Sequence, residues 1–492
     1  MFIGIDLGTS GVKAVLLDRD GRVRCTAQHA LSVSRPHPRW SEQAPADWWR
    51  ATSTALGDLL AQVRVEGIDA DRIEAIGLTG QMHGATLLDE KGEVLRPAIL
   101  WNDGRSDVEC VELEAAVPQL HRIAGNLAMP GFTAPKLLWV RKHEPEVFAR
   151  VAMVLLPKDY LRYRLTGDFA TDPSDAAGTL WLDVAKRDYS DVLLAACSLS
   201  REQMPRMYEG NRVTGTLSPG LAREWGLREI PVIAGGGDNA AGAVGVGIVR
   251  PKQAMLSLGT SGVYFAVSDG FLANPSSAVH SFCHALPQTW HLMSVMLNAA
   301  GCIDYCARLT DYADVPALLA DAEANSTNRR PWFLPYLTGE RTPHNNVNAK
   351  GVFYGMTPET TRVDFANATL EGVGLALLDG MDALHAAGLV PDDITVIGGG
   401  SRSAYWTQML ANIAGRPLTL CSGGEVGPAL GAARLAHLAL DPGASLGAVC
   451  PTPAVVGVRE PDAASHAWYR DERRPTFRAL YRALEPVFAS SR

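Results

Sequence analysis

The apolar positions of this chain fall into short runs separated by glycine-rich or charged turns. Residues 1–31 read as two or three strands, with Asp18-Arg19-Asp20-Gly21 as a hairpin turn. Alternation is weak from Val12 to Leu17, as expected for strands buried on both faces. Segment 45–63 follows Pro45 with helical spacing. Ile73 to Thr79 reads as another buried strand and runs into Gly80-Gln81-Met82-His83-Gly84. Helix and strand patterns alternate to about residue 250, which predicts an α/β fold. Residues 452–474, rich in proline and charge, read as loops before a C-terminal helix.

One hexapeptide occurs twice. Leu7-Gly8-Thr9-Ser10-Gly11-Val12 returns as Leu258-Gly259-Thr260-Ser261-Gly262-Val263, half a chain later. Each copy reads as strand, tight turn, strand, with backbone amides and hydroxyls at the tip. Such a tip suits phosphate oxygens, so two copies predict two related halves gripping one polyphosphate. Asp6 precedes the first copy and Ser257 the second. Glycine runs also recur, as Gly235-Gly236-Gly237-Asp238-Asn239 and Gly398-Gly399-Gly400-Ser401. Aligned by eye, these pair Asp238 with Ser401. Small-residue helices, 240–245 and 427–433, are expected to cross closely and form a hinge. The boundary is placed so that 1–246 and 247–492 are the two domains.

The chain has 492 residues, enough for more than one core. Its net charge of −8, with no basic block, argues against nucleic acid or an anionic membrane as partner. An anionic substrate must then be held locally, by amides or a metal. The eight cysteines form no C-x-x-C pair and read as free buried thiols. The chain opens directly into a strand and has no long uncharged apolar run, so a cytoplasmic, reduced protein is expected.

Asp6, at a strand end beside a phosphate turn, suits Mg²⁺, which takes one or two carboxylates, water and phosphate oxygens. Asp238 opens a helix behind three glycines, and reads either as a helix cap or as a general base. Phosphoryl transfer to an alcohol requires a proton acceptor and a metal, and the sequence offers one carboxylate for each. Gly398-Gly399-Gly400 reads as a platform for purine or ribose; no Walker A lysine motif is present. The loops 80–84 and 101–105 suit a polyhydroxy compound, at the strand ends where α/β sheets bind ligands. Trp40, Trp48 and Trp49 read as core.

Together these residues resemble the FGGY carbohydrate kinases, within the actin-like, sugar-kinase and heat-shock ATPase superfamily. Gly131-Phe132-Thr133-Ala134-Pro135-Lys136-Leu137-Leu138-Trp139-Val140 carries the likeness, with Gly351 to Met356 and Asp364 to Glu371. The likeness covers essentially the whole chain. Within the family, 34–43, 80–84 and 339–346 are similar to bacterial members acting on xylulose. A glycerol-directed member would be expected to show Arg-Glu at positions 82 and 83, where Met-His stands.

The resemblance implies two ribonuclease-H-like domains with ATP in the cleft between them. It implies ATP-dependent phosphorylation of D-xylulose to D-xylulose 5-phosphate, with Asp238 as base and Asp6 organising Mg²⁺, Asp238 beside it. Met82, His83, Trp101, Asp103 and Asn239 are then the sugar contacts. Gly8, Thr9, Ser10, Lys13, Gly259, Thr260, Ser261, Gly399, Gly400 and Ser403 are the nucleotide contacts. A homodimer is expected. The rival readings are a sibling kinase for ribulose, gluconate or another polyol, and a filament-forming or chaperone-like ATPase indifferent to sugar.

Overall fold

The computed structural model describes residues 1–326, 329–422 and 427–490. Two seven-stranded sheets dominate it. The first uses β1 (Phe2–Leu7), β2 (Gly11–Leu17), β3 (Val23–Ala30), β4 (Ala75–Gly80), β5 (Val213–Thr216) and β6 (Pro231–Ile233) in the order β5-β6-β4-β1-β2-β3; the pair Gly236–Gly237 adds to the end of β4. The second uses β7 (Gln253–Leu258), β8 (Gly262–Ser268), β9 (His280–Cys283), β10 (Trp290–Met296), β11 (Asp393–Ile397), β12 (Leu418–Cys421) and β13 (Val455–Arg459), in the order β9-β10-β8-β7-β11-β12-β13.

Read outward from the two hairpins, the sheets match. The pairs β1–β2 and β7–β8 are antiparallel, and β4 and β11 lie parallel beside β1 and β7. Next come the parallel strands β6 and β12, then the antiparallel edges β5 and β13. This order corrects the alignment of the glycine runs. The segment after β11, Gly398 to Ser401, is the counterpart of the loop after β4, Gly80 to Gly84. The Gly235–Asp238 loop follows β6, so its counterpart follows β12 and falls largely outside the described residues. Ser401 therefore does not stand where Asp238 stands. Local glycine patterns cannot record which strands pair, because parallel partners are joined only through long connections.

The Asp18–Gly21 turn closes as expected, with Gly21 at φ 82° donating its N–H to the Asp18 carbonyl. The helix Pro45–Val65 starts at a proline, whose missing N–H costs nothing there, and buries Trp48, Leu56 and Leu59. Trp48 is core, as expected; Trp40 packs partly buried under the Arg105 guanidinium, and Trp49 lies against Trp225. Segment 452–474 is not loop. It holds β13, the helix Ala463–Trp468 and a π-helical turn, Tyr469–Arg473, leading into the helix Arg474–Ser490. Its charges had a second use: the buried Glu371 accepts from Arg330 at 2.6 Å and Arg473 at 2.5 Å.

The helices Asp238–Gly245 and Gly427–Leu440 do cross closely. A Cβ on Gly431 would lie 1.7 Å from the Ala241 carbonyl oxygen. The second of these helices also lies on the first sheet, where Cβ atoms on Gly4 and Gly77 would each meet its backbone at 1.9 Å. One apolar cluster includes side chains from both halves, among them Phe132, Ala243, Phe265, Phe282 and Met293. Seven of the eight cysteines are buried, and all are free. Among the described residues no helix is long and apolar enough to cross a membrane.

Candidate active site

The first sheet brings three sequence-distant segments to one edge. In register, Asp6 pairs with Thr79 and Leu7 with Gly80, while Gly236 and Gly237 pair with Thr79 and Gly80 from the other side. Asp6, the loop 81–84 and Asp238 therefore leave adjacent parallel strand ends, the edge where sheets of this kind bind ligands. Across the hairpin, Asp6 faces Lys13; in the second hairpin Ser257 faces Val263, and Tyr264 stands at the position of Lys13 in the repeat. The first half thus keeps a charged pair that the second lacks.

Burial raises the Asp6 carboxyl to about 7, the negative charge of Asp238 adds to this, and Lys13 opposes it. Burial raises Asp238 to about 6, against the pull of hydrogen bonds from Asn239. Asn239 donates its backbone N–H and its side-chain amide to Asp238 Oδ1, at 2.7 and 2.9 Å. That fixes the carboxylate and leaves Oδ2 for a substrate proton. Asn239 thus acts on Asp238, whatever it also does to a sugar.

Asp6 Oδ1 is buried without a hydrogen-bond partner. A buried anionic oxygen left unpaired is costly, and a cation there would satisfy it. Among the described residues no group of three or more His, Cys, Asp or Glu side chains is arranged to hold a metal ion by itself. An ion bound through one or two carboxylates, its other positions taken by water and phosphate oxygens, describes Mg²⁺. The residues present fit that ion.

The sugar-loop candidates form a tight unit. Gly84 N–H bonds back to the Met82 carbonyl while His83 has φ 68°, which makes a γ-turn of the rare strained kind. His83 Nδ1 lies 2.7 Å from the Gly178 carbonyl, so Nδ1 carries the proton and Nε2 is the acceptor. Burial drops the imidazole to about 3, so it stays neutral. Its ring meets the edge of Phe132, with Phe282 of the second half behind. Met82 is buried, and a Cβ on Gly237 would press on its side chain, 2.9 Å from the sulfur.

Lys136 holds this turn from below, a role the sequence reading did not assign. Its buried ammonium donates to the carbonyls of His83, at 2.9 Å, and Gly131, at 2.8 Å. Burial lowers it from its ordinary 10.5 to about 7, although the nearby Asp103 works the other way. The unfolded chain binds this proton up to about 10.5 and the folded one only to about 7. Folding stability should therefore rise with pH through that window. In Lys136→Met that part of the rise should vanish, as read from paired denaturant titrations between the two limits.

The remaining candidates divide. Thr9 Oγ1 donates to Gln81 Oε1 and accepts from the Trp101 indole, both at 2.9 Å, tying the phosphate turn to the sugar loop. Trp101 itself stays partly exposed and lines an interdomain cavity of about 810 Å³. Asp103 lines the same cavity, with its buried carboxylate held inside the protein by Arg105 at 2.7 and 2.9 Å and by the Ser41 N–H at 2.6 Å. A carboxylate in reach of a guanidinium and a backbone amide satisfies itself internally. The second half adds Glu340 and Arg341 to the same cavity, residues noticed in the sequence only as family likeness. Glu340 Oε1 accepts the N–H groups of Leu297 and Arg341, and burial lifts its carboxyl to about 8.

In the second half, Gly259, Thr260, Gly399, Gly400 and Ser403 line a cavity of about 640 Å³ with Ile303, Leu319 and Trp406. Among the described residues, all that line it come from this half. Gly398 has φ 87°, and a Cβ on Gly400 would strike the Trp406 ring at 2.4 Å, while Gly399 faces open space. A flat ligand can thus lie against backbone. Ser403 is corrected in part: its hydroxyl caps the helix Ala404–Ala414 by accepting the Trp406 N–H. Gly8 and Ser10 stay partly or fully exposed at the first tip, as Ser261 does at the second.

Residues 1–245 match the N-terminal domain, and 254–440 the C-terminal domain, of the FGGY family of carbohydrate kinases. The chain is 61% identical to the xylulose kinase of Escherichia coli (strain K12) over 490 residues, 99% of this chain and all of that protein. A crystal structure described as a xyloylose kinase from Brucella ovis superposes with a TM-score of 0.94 at 46% identity, covering 99% of each chain. A gluconate kinase from Lactobacillus acidophilus superposes with a TM-score of 0.93 at 26% identity, also covering 99% of each.

Proposed function

Because this chain belongs to the FGGY family of carbohydrate kinases, we propose that it phosphorylates D-xylulose, giving ADP and D-xylulose 5-phosphate from ATP. The observation that carries the reaction type is the meeting of Asp6, the 81–84 turn and Asp238 at one sheet edge, with Asp238 Oδ2 left open. The full-length likeness to kinases named for xylulose supports the sugar.

In this reading residues 1–246 hold the sugar and the carboxylates, and residues 247–492 hold the nucleotide. Asp238 Oδ2 takes the proton of the sugar O5 hydroxyl as O5 bonds to the γ-phosphorus. The bond from that phosphorus to the β–γ bridging oxygen breaks, and its electron pair leaves with ADP. Neutral His83, its Nδ1–H fixed on Gly178, offers Nε2 to a sugar hydroxyl beside Met82. Asp6, with its unpaired Oδ1, is the residue that would hold Mg²⁺. When bound, that ion spreads the charge of the phosphates. Closure of the two halves would exclude water and align the reactants.

The fold alone does not choose the sugar, since a gluconate kinase shares it at comparable superposition. A panel of xylulose, ribulose, gluconate and glycerol, compared as kcat/KM with ATP and Mg²⁺, decides the point. Xylulose should lead; a higher kcat/KM for any other member overturns the substrate assignment.

A further inference from the structure

We propose that Ser174, Asp172 and Lys158 form a buried positioning chain that fixes the glycine loop carrying Asp238, and so aims the base. This rests on Asp238 being the base. The glycines at 235–237 bring no side chains, so beyond their backbone pairing the loop takes its side-chain contacts from other segments. Ser174 supplies one. Its Oγ lies 2.5 Å from Asp172 Oδ2 and 3.1 Å from the Gly237 nitrogen. A hydroxyl has one proton, and the carboxylate claims it; Oγ must then accept the Gly237 N–H. The direction of the chain is therefore fixed by chemistry, up to the residue before Asp238.

Asp172 is fixed in turn. Its Oδ1 pairs with Lys158 Nζ at 2.9 Å, and Lys158 also meets Asp159 at 2.5 Å and Asp175 at 3.2 Å. All four side chains are fully buried. Arg162 anchors the other end of the loop, donating Nη2 to the Ala234 carbonyl at 2.5 Å. Two cations against three acids leave one negative charge too many. Burial pushes the Asp175 carboxyl well above its ordinary range, and the Lys158 ammonium opposes this. Buried ion networks are poor sources of stability compared with apolar packing, and their best-attested use is to specify one arrangement. This cluster touches the loop of the base at both ends.

The test is a kinetic double-mutant cycle with Ser174→Ala and Asp238→Asn. In the wild-type background Ser174→Ala should lower kcat by about 10- to 100-fold, the scale of a small misplacement of a reacting group. KM for ATP and xylulose should stay within about threefold, since neither binding surface changes. In the Asp238→Asn background the same change should cost almost nothing further, because Ser174 acts through that carboxylate. A purely structural serine would lower Tm and leave kcat per folded molecule intact, which overturns the proposal. Equal losses in both backgrounds overturn it too. If Asp238→Asn alone keeps near-normal turnover, the base assignment fails instead, and the two failures are told apart.

Discussion

Asp238→Ala is expected to lower turnover roughly 10²–10⁴-fold, the usual worth of a positioned general base. ATP binding should persist, because the described residues that line the proposed nucleotide cavity all fall within 258–406. The loss should appear in kcat more than in KM, since the proton moves only in the transition state. Stability should fall little. Removing the carboxylate frees the Asn239 donors, but both residues are partly exposed and water can reach them. Initial rates with xylulose, together with ATP titration by calorimetry, give the two readouts. A variant with near-normal kcat refutes the assignment, and one that no longer binds ATP shows that the site was misdrawn.

Gly431→Ala is expected to destabilise the protein by about 3 kcal/mol, the upper range for overpacking. The added carbon would sit 1.7 Å from the Ala241 carbonyl oxygen, and that oxygen belongs to a helix backbone that cannot swing aside. Two more backbone contacts, at Gly4 and Gly77, pin the same helix to the first sheet, so it cannot retreat. Thermal scans should show Tm lowered by about 5 °C or more. Gly57→Ala is the control. It lies within Pro45–Val65 with nothing within 4 Å of its added Cβ. Alanine there should stabilise by about 0.5–1 kcal/mol through helix propensity alone. Similar Tm values for the two variants would refute the close crossing.

Much of the candidate site was legible because its signals are local. The hairpin tips, the Asp6–Ser257 difference and Asp238 behind its glycines each lie within a few residues of sequence. So do the small-residue stretches that let two helices approach. Lys13 was named among the nucleotide contacts, but only the antiparallel register shows that it opposes Asp6. Asp103 was named from its strand-end loop; only the structure shows Arg105, two residues on, turning back to bind it. Lys136 entered only through the family likeness and Ser174 not at all, since their bonds to His83 and Gly237 span 53 and 63 residues. Residues 452–474 read as loops, yet Arg473 is buried against Glu371, 102 residues earlier.

Residue order alone was enough for the duplication, the α/β class and the two carboxylates, because turns and strand ends are written in neighbouring residues. It could not say which glycine loop answers which. That rests on parallel pairing between β4 and β1, and between β11 and β7, whose hydrogen bonds join segments far apart in the chain. Only the folded sheet shows the Gly398 platform to be the counterpart of the 80–84 turn. Only there do Asp6 and Asp238, 232 residues apart in sequence, leave the same edge close enough for one charge to raise the other.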